Sequence, residues 1–149
     1  MPDVPAALAL LEEEELIVGC GNDVLAFALD LGNGAMTQSA SGDGHRGAIT
    51  TIAYSPDAAY VAVGDANREV KVWQRADWSK AKVSGKWVFH TAAVKCVTWD
   101  PTSSFIVSGA QDESVFIWNG EWTTPQNLDC PAVSHRAPSC PVVPRPDPP

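Results

Sequence analysis

The sequence predicts an all-β fold assembled from copies of one repeated unit, and three observations support this class. The 149 residues are 45% hydrophobic, which is typical of a folded chain rather than a disordered one. Six Trp and eleven Gly accompany only two Met, a balance that favours strands and tight turns over a helical bundle. Finally, the chain matches itself when it is displaced by 45 residues, a period typical of stacked β-units.

The self-match places His45–Trp73 on His90–Trp118 without a gap. Of these 29 positions six are identical and seven more are conservative. The identical pairs are His45/His90, Ala48/Ala93, Pro56/Pro101, Gly64/Gly109, Val70/Val115 and Trp73/Trp118. The same displacement in the other direction places Val70 on Leu25, so a third and partial copy begins near Leu16.

Within each copy, short apolar segments alternate with turn residues such as Pro56-Asp57 and Asp100-Pro101. This alternation predicts strands at Ile49–Tyr54, Tyr60–Val63 and Val70–Trp73, and again at Val94–Trp99, Phe105–Ser108 and Val115–Trp118. Lys86–Phe89 is the expected fourth, outer strand between the two copies. Four short strands in every 40–45 residues are typical of a β-propeller blade.

The repeat divides the chain into four predicted segments. Residues 1–43 form a partial blade and the loop that leads into the next one, residues 44–89 a complete blade, and residues 90–126 a blade lacking its outer strand. Residues 127–149 are rich in Pro, which cannot donate ladder hydrogen bonds, and are predicted to be a disordered tail. About two and a half blades of four-stranded antiparallel sheet are fewer than the roughly 4–8 that close a ring. We therefore expect the isolated chain to be marginally stable, to unfold without a sharp transition and to self-associate.

These motifs resemble the WD-repeat family of β-propellers. The residues that carry the resemblance are Gly44-His45, Phe89-His90, Tyr54-Ser55-Pro56-Asp57, Trp99-Asp100-Pro101 and Ser108-Gly109 with Asp112 and Trp118. The family's final Trp-Asp dipeptide is absent, because Trp73 is followed by Gln74 and Trp118 by Asn119. That position varies within the family.

The resemblance implies a buried hydrogen-bonded tetrad in each blade, made of a His, a Ser or Thr, an Asp and a Trp. In the third copy it implies His90, Ser108, Asp112 and Trp118. In the second copy only His45 and Trp73 match, because Val63 and Asn67 stand at the hydroxyl and carboxylate positions. We therefore expect an incomplete network and a less rigid second blade.

A narrower resemblance, over about two-thirds of the chain, is to the C-terminal propeller of the actin-interacting protein 1 family. It is carried by Ala53–Asp57, Val61–Asp65, Arg68–Trp73 and Trp87–Thr91. It implies a non-catalytic, cytoplasmic and cytoskeleton-associated protein whose partners are actin filaments and cofilin, and which promotes filament disassembly with cofilin. Members of that family are much longer, so this chain resembles one part of them.

Other function classes find little support in the sequence. A net charge of −8 argues against a nucleic-acid surface, and no apolar run approaches the roughly 20 residues of a membrane span. The only His/Ser/Asp set with defined spacing is the tetrad itself, so we expect no enzyme, no cofactor and no small-molecule substrate. The loop segment Asp77–Lys82 supplies the candidate partner-contact residues Trp78, Lys80 and Lys82, although Trp78 is also suited to capping the blade edge.

The four cysteines favour reduced thiols over disulfides or metal ligands. Cys20 and Cys96 lie in apolar segments of predicted strands. Cys130, His135 and Cys140 lack a fourth ligand nearby, so we expect no zinc site there.

Two further interpretations of the function of the chain stay open. One is a WD-repeat scaffold for another complex, such as a ubiquitin-ligase or trafficking adaptor, and the other is a truncated product without independent function.

Overall fold

The computed structural model describes residues 4–11, 15–42, 44–81, 89–119 and 126–129. Every regular element in these ranges is a β-strand. The strands are β1 Pro5–Leu11, β2 Glu15–Cys20, β3 Asp23–Asp30, β4 Ala35–Gly42, β5 Ile49–Tyr54, β6 Tyr60–Asp65, β7 Val70–Gln74, β8 Val94–Trp99, β9 Phe105–Ala110, β10 Ser114–Asn119 and β11 Gln126–Asp129. The predicted all-β class is confirmed.

The strands form three antiparallel meanders, which we call sheets 1, 2 and 3. Sheet 1 has the order β1-β2-β3-β4, sheet 2 the order β5-β6-β7, and sheet 3 the order β8-β9-β10-β11. Beyond β7, Lys80 makes an isolated antiparallel bridge to Trp73, on the side where a fourth strand would lie. Of the outer strand predicted at 86–89, residues 86–88 fall outside the described residues and Phe89 is not in a strand. The arrangement agrees with a partial propeller of stacked blades.

Sheets 1 and 3 each contain one strand more than the sequence predicted. Residues 1–43 do not hold a partial blade, because β1 pairs with β2 and completes a four-stranded sheet. Its Ala- and Leu-rich sequence contains no β-branched residue, so the pattern of strand propensity missed it. The third blade has its outer strand, because β11 pairs with β10 from Ser114↔Asp129 to Ile117↔Gln126. Residues 127–129 therefore belong to a strand, whereas the rest of the predicted tail lies outside the described residues.

The repeat register in sheet 1 differs by one residue from the sequence alignment. Strands β2 and β3 are joined by the two-residue turn Gly21-Asn22, whereas four residues join β6 to β7. In sheet 1 Gly19 pairs with Val24, and in sheet 2 Gly64 pairs with Val70. The counterpart of Val70 is therefore Val24, whereas the sequence alignment placed Leu25 there. The shorter hairpin turn therefore shifts β3 by one position, and Val24 is fully buried as Val70 is.

Two apolar clusters form the core, and each lies between two neighbouring sheets. The first joins Ile17, Val24 and Ala26 of sheet 1 to Ile49, Ile52, Val61, Val63 and Trp73 of sheet 2. The second joins Ala62, Val70 and Val72 of sheet 2 to Val94, Val97, Trp99, Ile106, Phe116 and Trp118 of sheet 3. Repeat-equivalent residues thus fill both interfaces, so one packing geometry is used twice.

In the part of the chain that the structure describes, no helix is long and apolar enough to cross a membrane.

Candidate functional site

The third blade contains a buried relay of hydrogen bonds that crosses sheet 3. The indole N–H of Trp118 donates to Ser108 Oγ at 2.8 Å, and Ser108 Oγ lies 2.8 Å from His90 Nε2. On the other side of the ring, His90 Nδ1 lies 3.0 Å from Ser114 Oγ and 3.4 Å from Asp112 Oδ2. The structure therefore brings together all four residues named from the sequence, and adds Ser114 as a fifth member.

Asp112 anchors this relay to the turn that enters β10. Its carboxylate accepts hydrogen bonds from the backbone N–H of Thr91 at 2.6 Å and of Ser114 at 3.1 Å. Burial opposes the ionised form, but the Ser114 hydroxyl, these two amides and the nearby His90 ring hold the pKa of Asp112 well below 3.8. Asp112 is therefore an anionic acceptor that fixes both the turn and the imidazole ring.

The His90 ring is held in an aromatic environment. It is almost fully buried and lies edge-on to Phe116 with ring centroids 4.7 Å apart. Burial lowers the pKa of His90, and the Asp112 carboxylate only partly offsets this. A neutral ring that donates from Nδ1 and accepts at Nε2 satisfies every contact described above.

The second blade has a carboxylate where the sequence comparison indicated none. His45 Nδ1 lies 3.0 Å from Oδ2 of Asp65, a fully buried residue at the end of β6. The other oxygen of Asp65 accepts the backbone N–H groups of Asn67 and Glu69, both at 2.9 Å. The expectation that this blade lacks the acid, because Asn67 aligns with Asp112, is therefore corrected: the acid is Asp65, two residues earlier. Asp65 could have been found as the acid at the last position of β6, where the turn toward Glu69 begins.

The hydroxyl position of the second blade is apolar, as expected. Val63 stands where the third blade has Ser108, and both are fully buried. Ser108 bridges two atoms, and their counterparts in this blade are His45 Nε2 and Trp73 Nε1. Both are buried and, among the residues that the structure describes, have no hydrogen-bond partner. The network of this blade is complete on the carboxylate side and interrupted on the hydroxyl side.

A buried ammonium group also lies in this blade and was not predicted. Lys71 occupies the position equivalent to Phe116 and is only 6% exposed. Its Nζ donates to the carbonyl oxygen of Gly44 and lies 2.8 Å from Glu69 Oε2. Through these two contacts Lys71 ties the segment that enters β5 to the turn before β7, whereas the third blade uses aromatic packing at this position.

The candidate partner-contact residues lie beside the outer edge of sheet 2. Trp78 is partly buried and packs against Trp73 with ring centroids 6.4 Å apart. Lys80 is exposed, and its Nζ lies 5.1 Å from the centroid of the Trp73 ring, a cation–π distance. Lys82 lies outside the described residues. Trp78 therefore covers the blade edge, while Lys80 presents a charge at the surface.

A groove of about 500 Å³ lies on the side of the blades where β5 turns into β6. Its lining includes Tyr60 and the ion pair in which Arg75 Nε donates to Glu15 Oε2 at 2.6 Å. The same Glu15 oxygen accepts the Tyr54 hydroxyl at 3.2 Å. Burial, together with the charge of Glu15, raises the pKa of Tyr54 far above its ordinary value. This network joins sheet 1 to sheet 2 and was not predicted from the sequence.

The chemistry of these groups is structural. Ser108 is fully buried and its hydroxyl is already shared between Trp118 and His90, so no substrate can reach it. Among the described residues, no group of three or more His, Cys, Asp or Glu side chains could hold a metal ion. Cys96 is a free thiol.

Sequence comparison with known proteins finds a match to one family profile and to several individual proteins. The family profile described as "WD domain, G-beta repeat" matches residues 36–74 and 82–119. The chain is 37% identical over 109 residues to the 66 kDa stress protein of Physarum polycephalum, covering 73% of this chain and 18% of that protein. It is 32% identical over 116 residues to actin-interacting protein 1-2 of Arabidopsis thaliana, covering 77% and 19% respectively. With actin-interacting protein 1 of Drosophila melanogaster the identity is 37% over 75 residues, covering 50% and 12%. The chain thus spans about a fifth or less of the length of these relatives.

Proposed function

The chain belongs to the WD40 repeat family, and from this premise we propose that it is a non-catalytic protein-interaction module from an actin-binding protein that promotes cofilin-dependent filament disassembly. Its partners are then actin filaments and cofilin, and its place in the cell is the cytoskeleton. The observation that carries the proposal is the similarity of about three-quarters of the chain to an actin-interacting protein.

The geometry of the blades supports a binding role. The titratable relay of the third blade is buried and engaged in internal hydrogen bonds, so it stabilises the scaffold. The exposed candidate Lys80 lies beside a strand edge, and propellers carry contact residues on such loops and edges. Of the candidate partner-contact residues that the structure describes, Lys80 is the one that places a cationic group at the surface. The chain as a whole has a net charge of −8. Trp78 supports it from the blade edge.

The proposal is tested by sedimentation of the purified chain with actin filaments, bare and decorated with cofilin. We expect the chain to enter the pellet with decorated filaments and to remain largely in the supernatant with bare ones. Lys80→Ala is expected to reduce the bound fraction several-fold. Lys95→Ala, which removes another exposed ammonium, from β8, is the matched control and should bind as the unmodified chain does.

Two outcomes would contradict the proposal. Equal binding of Lys80→Ala and Lys95→Ala would remove the blade edge at Lys80 from the contact. Absence of the chain from both pellets, while the relay of the third blade is intact by near-ultraviolet circular dichroism, would favour a WD-repeat scaffold for another complex.

A further inference from the structure

The end of sheet 2 at which β5 begins carries two exposed arginines on adjoining loops. Arg46 lies in the segment that enters β5, and Arg68 lies in the turn between β6 and β7. The two loops touch, because a Cβ on Gly47 would come within 2.5 Å of the backbone nitrogen of Asn67. This contact joins the residue after Arg46 to the residue before Arg68. Arg46 and Arg68, which we call the arginine pair, are therefore attached to neighbouring points of one surface.

The acids of the same turn point inward and are already engaged. Asp65 is fully buried, and its carboxylate accepts from the His45 ring. The side chain of Glu69 is only 12% exposed, and its Oε2 lies 2.8 Å from the buried ammonium of Lys71. The side chain of Arg46, in contrast, is 79% exposed, and its Nε makes only a long contact of 3.9 Å with Glu69 Oε1. These two acids therefore serve internal cations, and they leave the positive charge of the surface largely uncompensated.

The backbone of Arg68 is fixed by the turn and not by its own side chain. Its φ is 74°, in the left-handed region that residues other than Gly rarely adopt. Asp65 holds this conformation by accepting the backbone N–H groups on either side, those of Asn67 and Glu69. In the part of the chain that the structure describes, the exposed guanidinium of Arg68 forms no ion pair. The turn therefore presents this group to solvent from a rigid base.

The equivalent positions of the third blade carry no positive charge. The displacement by 45 residues places Thr91 on Arg46 and Glu113 on Arg68. Glu113 has a φ of 64°, so the same backbone conformation presents a carboxylate there instead of a guanidinium. The two blade ends lie side by side, because a threonine hydroxyl of β5 donates to a carbonyl oxygen at the start of β8 at 2.6 Å. This edge of the molecule is thus positive on sheet 2 and negative on sheet 3.

We propose that the arginine pair binds an acidic segment of a partner protein, whose carboxylates pair with the guanidinium groups of Arg46 and Arg68. A guanidinium group donates two parallel hydrogen bonds to a carboxylate, which makes this ion pair strong and directional. Glu113 repels the same carboxylates and thus confines the acidic part of the segment to sheet 2. Because the whole chain has a net charge of −8, the attraction must come from this local positive charge. The inference rests on the proposed binding role of the chain and names the chemistry of the surface that it contacts.

Fluorescence anisotropy of a labelled hexaglutamate peptide, titrated with the full 149-residue chain at low ionic strength, tests this contact without actin or cofilin. We expect saturable binding that weakens as salt is added. Arg46→Gln and Arg68→Asn should each reduce the affinity several-fold. Asn is chosen at position 68 because it tolerates the left-handed conformation, so the turn is kept. Lys95→Gln, which removes an exposed ammonium from β8, is the matched control and should bind as the unmodified chain does.

A gain of affinity provides a second and independent measurement. Glu113→Arg keeps the turn position but extends the positive charge onto the third blade, so it should strengthen hexaglutamate binding several-fold. Circular dichroism of each variant confirms that it is folded. The proposal is overturned if the folded unmodified chain shows no saturable binding, or if Arg68→Asn binds as tightly as Lys95→Gln does.

The same peptide separates this inference from the proposed function. If the chain sediments with cofilin-decorated filaments but does not bind hexaglutamate, the actin-binding role stands and the acidic contact is refuted. If the chain binds hexaglutamate through the arginine pair but enters neither actin pellet, the acidic contact stands and the partner is a different protein.

Discussion

The Nδ1 atom of His45 lies 3.0 Å from Oδ2 of Asp65, and neither side chain is exposed to solvent. The carboxylate also accepts two backbone amides of the turn before β7. His90 in the next blade is held differently, since its Nδ1 lies closer to the Ser114 hydroxyl than to Asp112. The two copies of the repeat therefore hold equivalent His rings with acids from different positions of the repeat.

Asp65→Ala should destabilise the chain by about 3 kcal/mol, because the substitution leaves the buried His45 ring and two partly buried amide groups without an acceptor. Asn67→Ala, at the position that the sequence had indicated, should change the free energy of unfolding by less than about 0.5 kcal/mol. Urea unfolding at one fixed protein concentration measures both. Equal losses from the two substitutions would contradict the structural assignment.

Val63→Ser should cost little, although it exchanges a fully buried apolar side chain for a polar one. The new hydroxyl would lie between His45 Nε2 and Trp73 Nε1, which have no hydrogen-bond partner in the described part of the chain. The gained hydrogen bonds offset the lost burial, each being worth about 1 kcal/mol.

The matched control for this substitution is Val61→Ser, in the same strand and equally buried. It offers no partner of this kind and should be less stable than Val63→Ser by about 2 kcal/mol. The comparison is read from urea midpoints. If Val63→Ser is the less stable of the two, the hydroxyl position has been misidentified.

Ser108→Ala should destabilise the third blade by about 2 kcal/mol, because it removes the hydroxyl that bridges Trp118 Nε1 and His90 Nε2. The indole then loses its acceptor, so the Trp fluorescence of the folded state should change as well. Ser39→Ala, the same change at an exposed position of β4, is expected to leave both readouts unaltered. A neutral Ser108→Ala substitution would show that the relay contributes no stability.

The sequence was most informative where side-chain patterns and packing coincide. The apolar alternation of β5 to β10 identified these six strands, because in each of them one face is buried against a neighbouring sheet. It missed β1, an Ala/Leu strand, and β11, since an outer strand can pair through its backbone without an apolar pattern.

The role of a residue in one copy of the repeat did not always apply to the aligned residue of the other copy. Asn67 aligned with Asp112 by number, but the acceptor in the second blade comes from Asp65, two residues earlier along the chain. Long-range contacts such as Arg75 with Glu15 have no sequence signal at all.

The stability of the chain should fall as the pH is lowered from 7.5 to 5.5, and His90 is one cause. Burial lowers the pKa of this ring in the folded state below the ordinary value of 6.5. The unfolded chain therefore binds a proton more readily, so the contribution of His90 is fully present above pH 6.5 and is lost as the pH falls toward the folded-state pKa. The loss is at most about 1.4 kcal/mol per pH unit for one proton.

Asp112 does not interfere in this range, because its lowered pKa makes its own contribution disappear only below pH 3.8. The expected result is a lower urea midpoint at pH 5.5, with a smaller pH dependence in the His90→Asn variant. His135→Asn, in the predicted tail, serves as the control and should keep the full dependence. If His90→Asn retains the full pH dependence, the buried ring is not the group that titrates, and the neutral state of the His90 ring would have to be assigned differently.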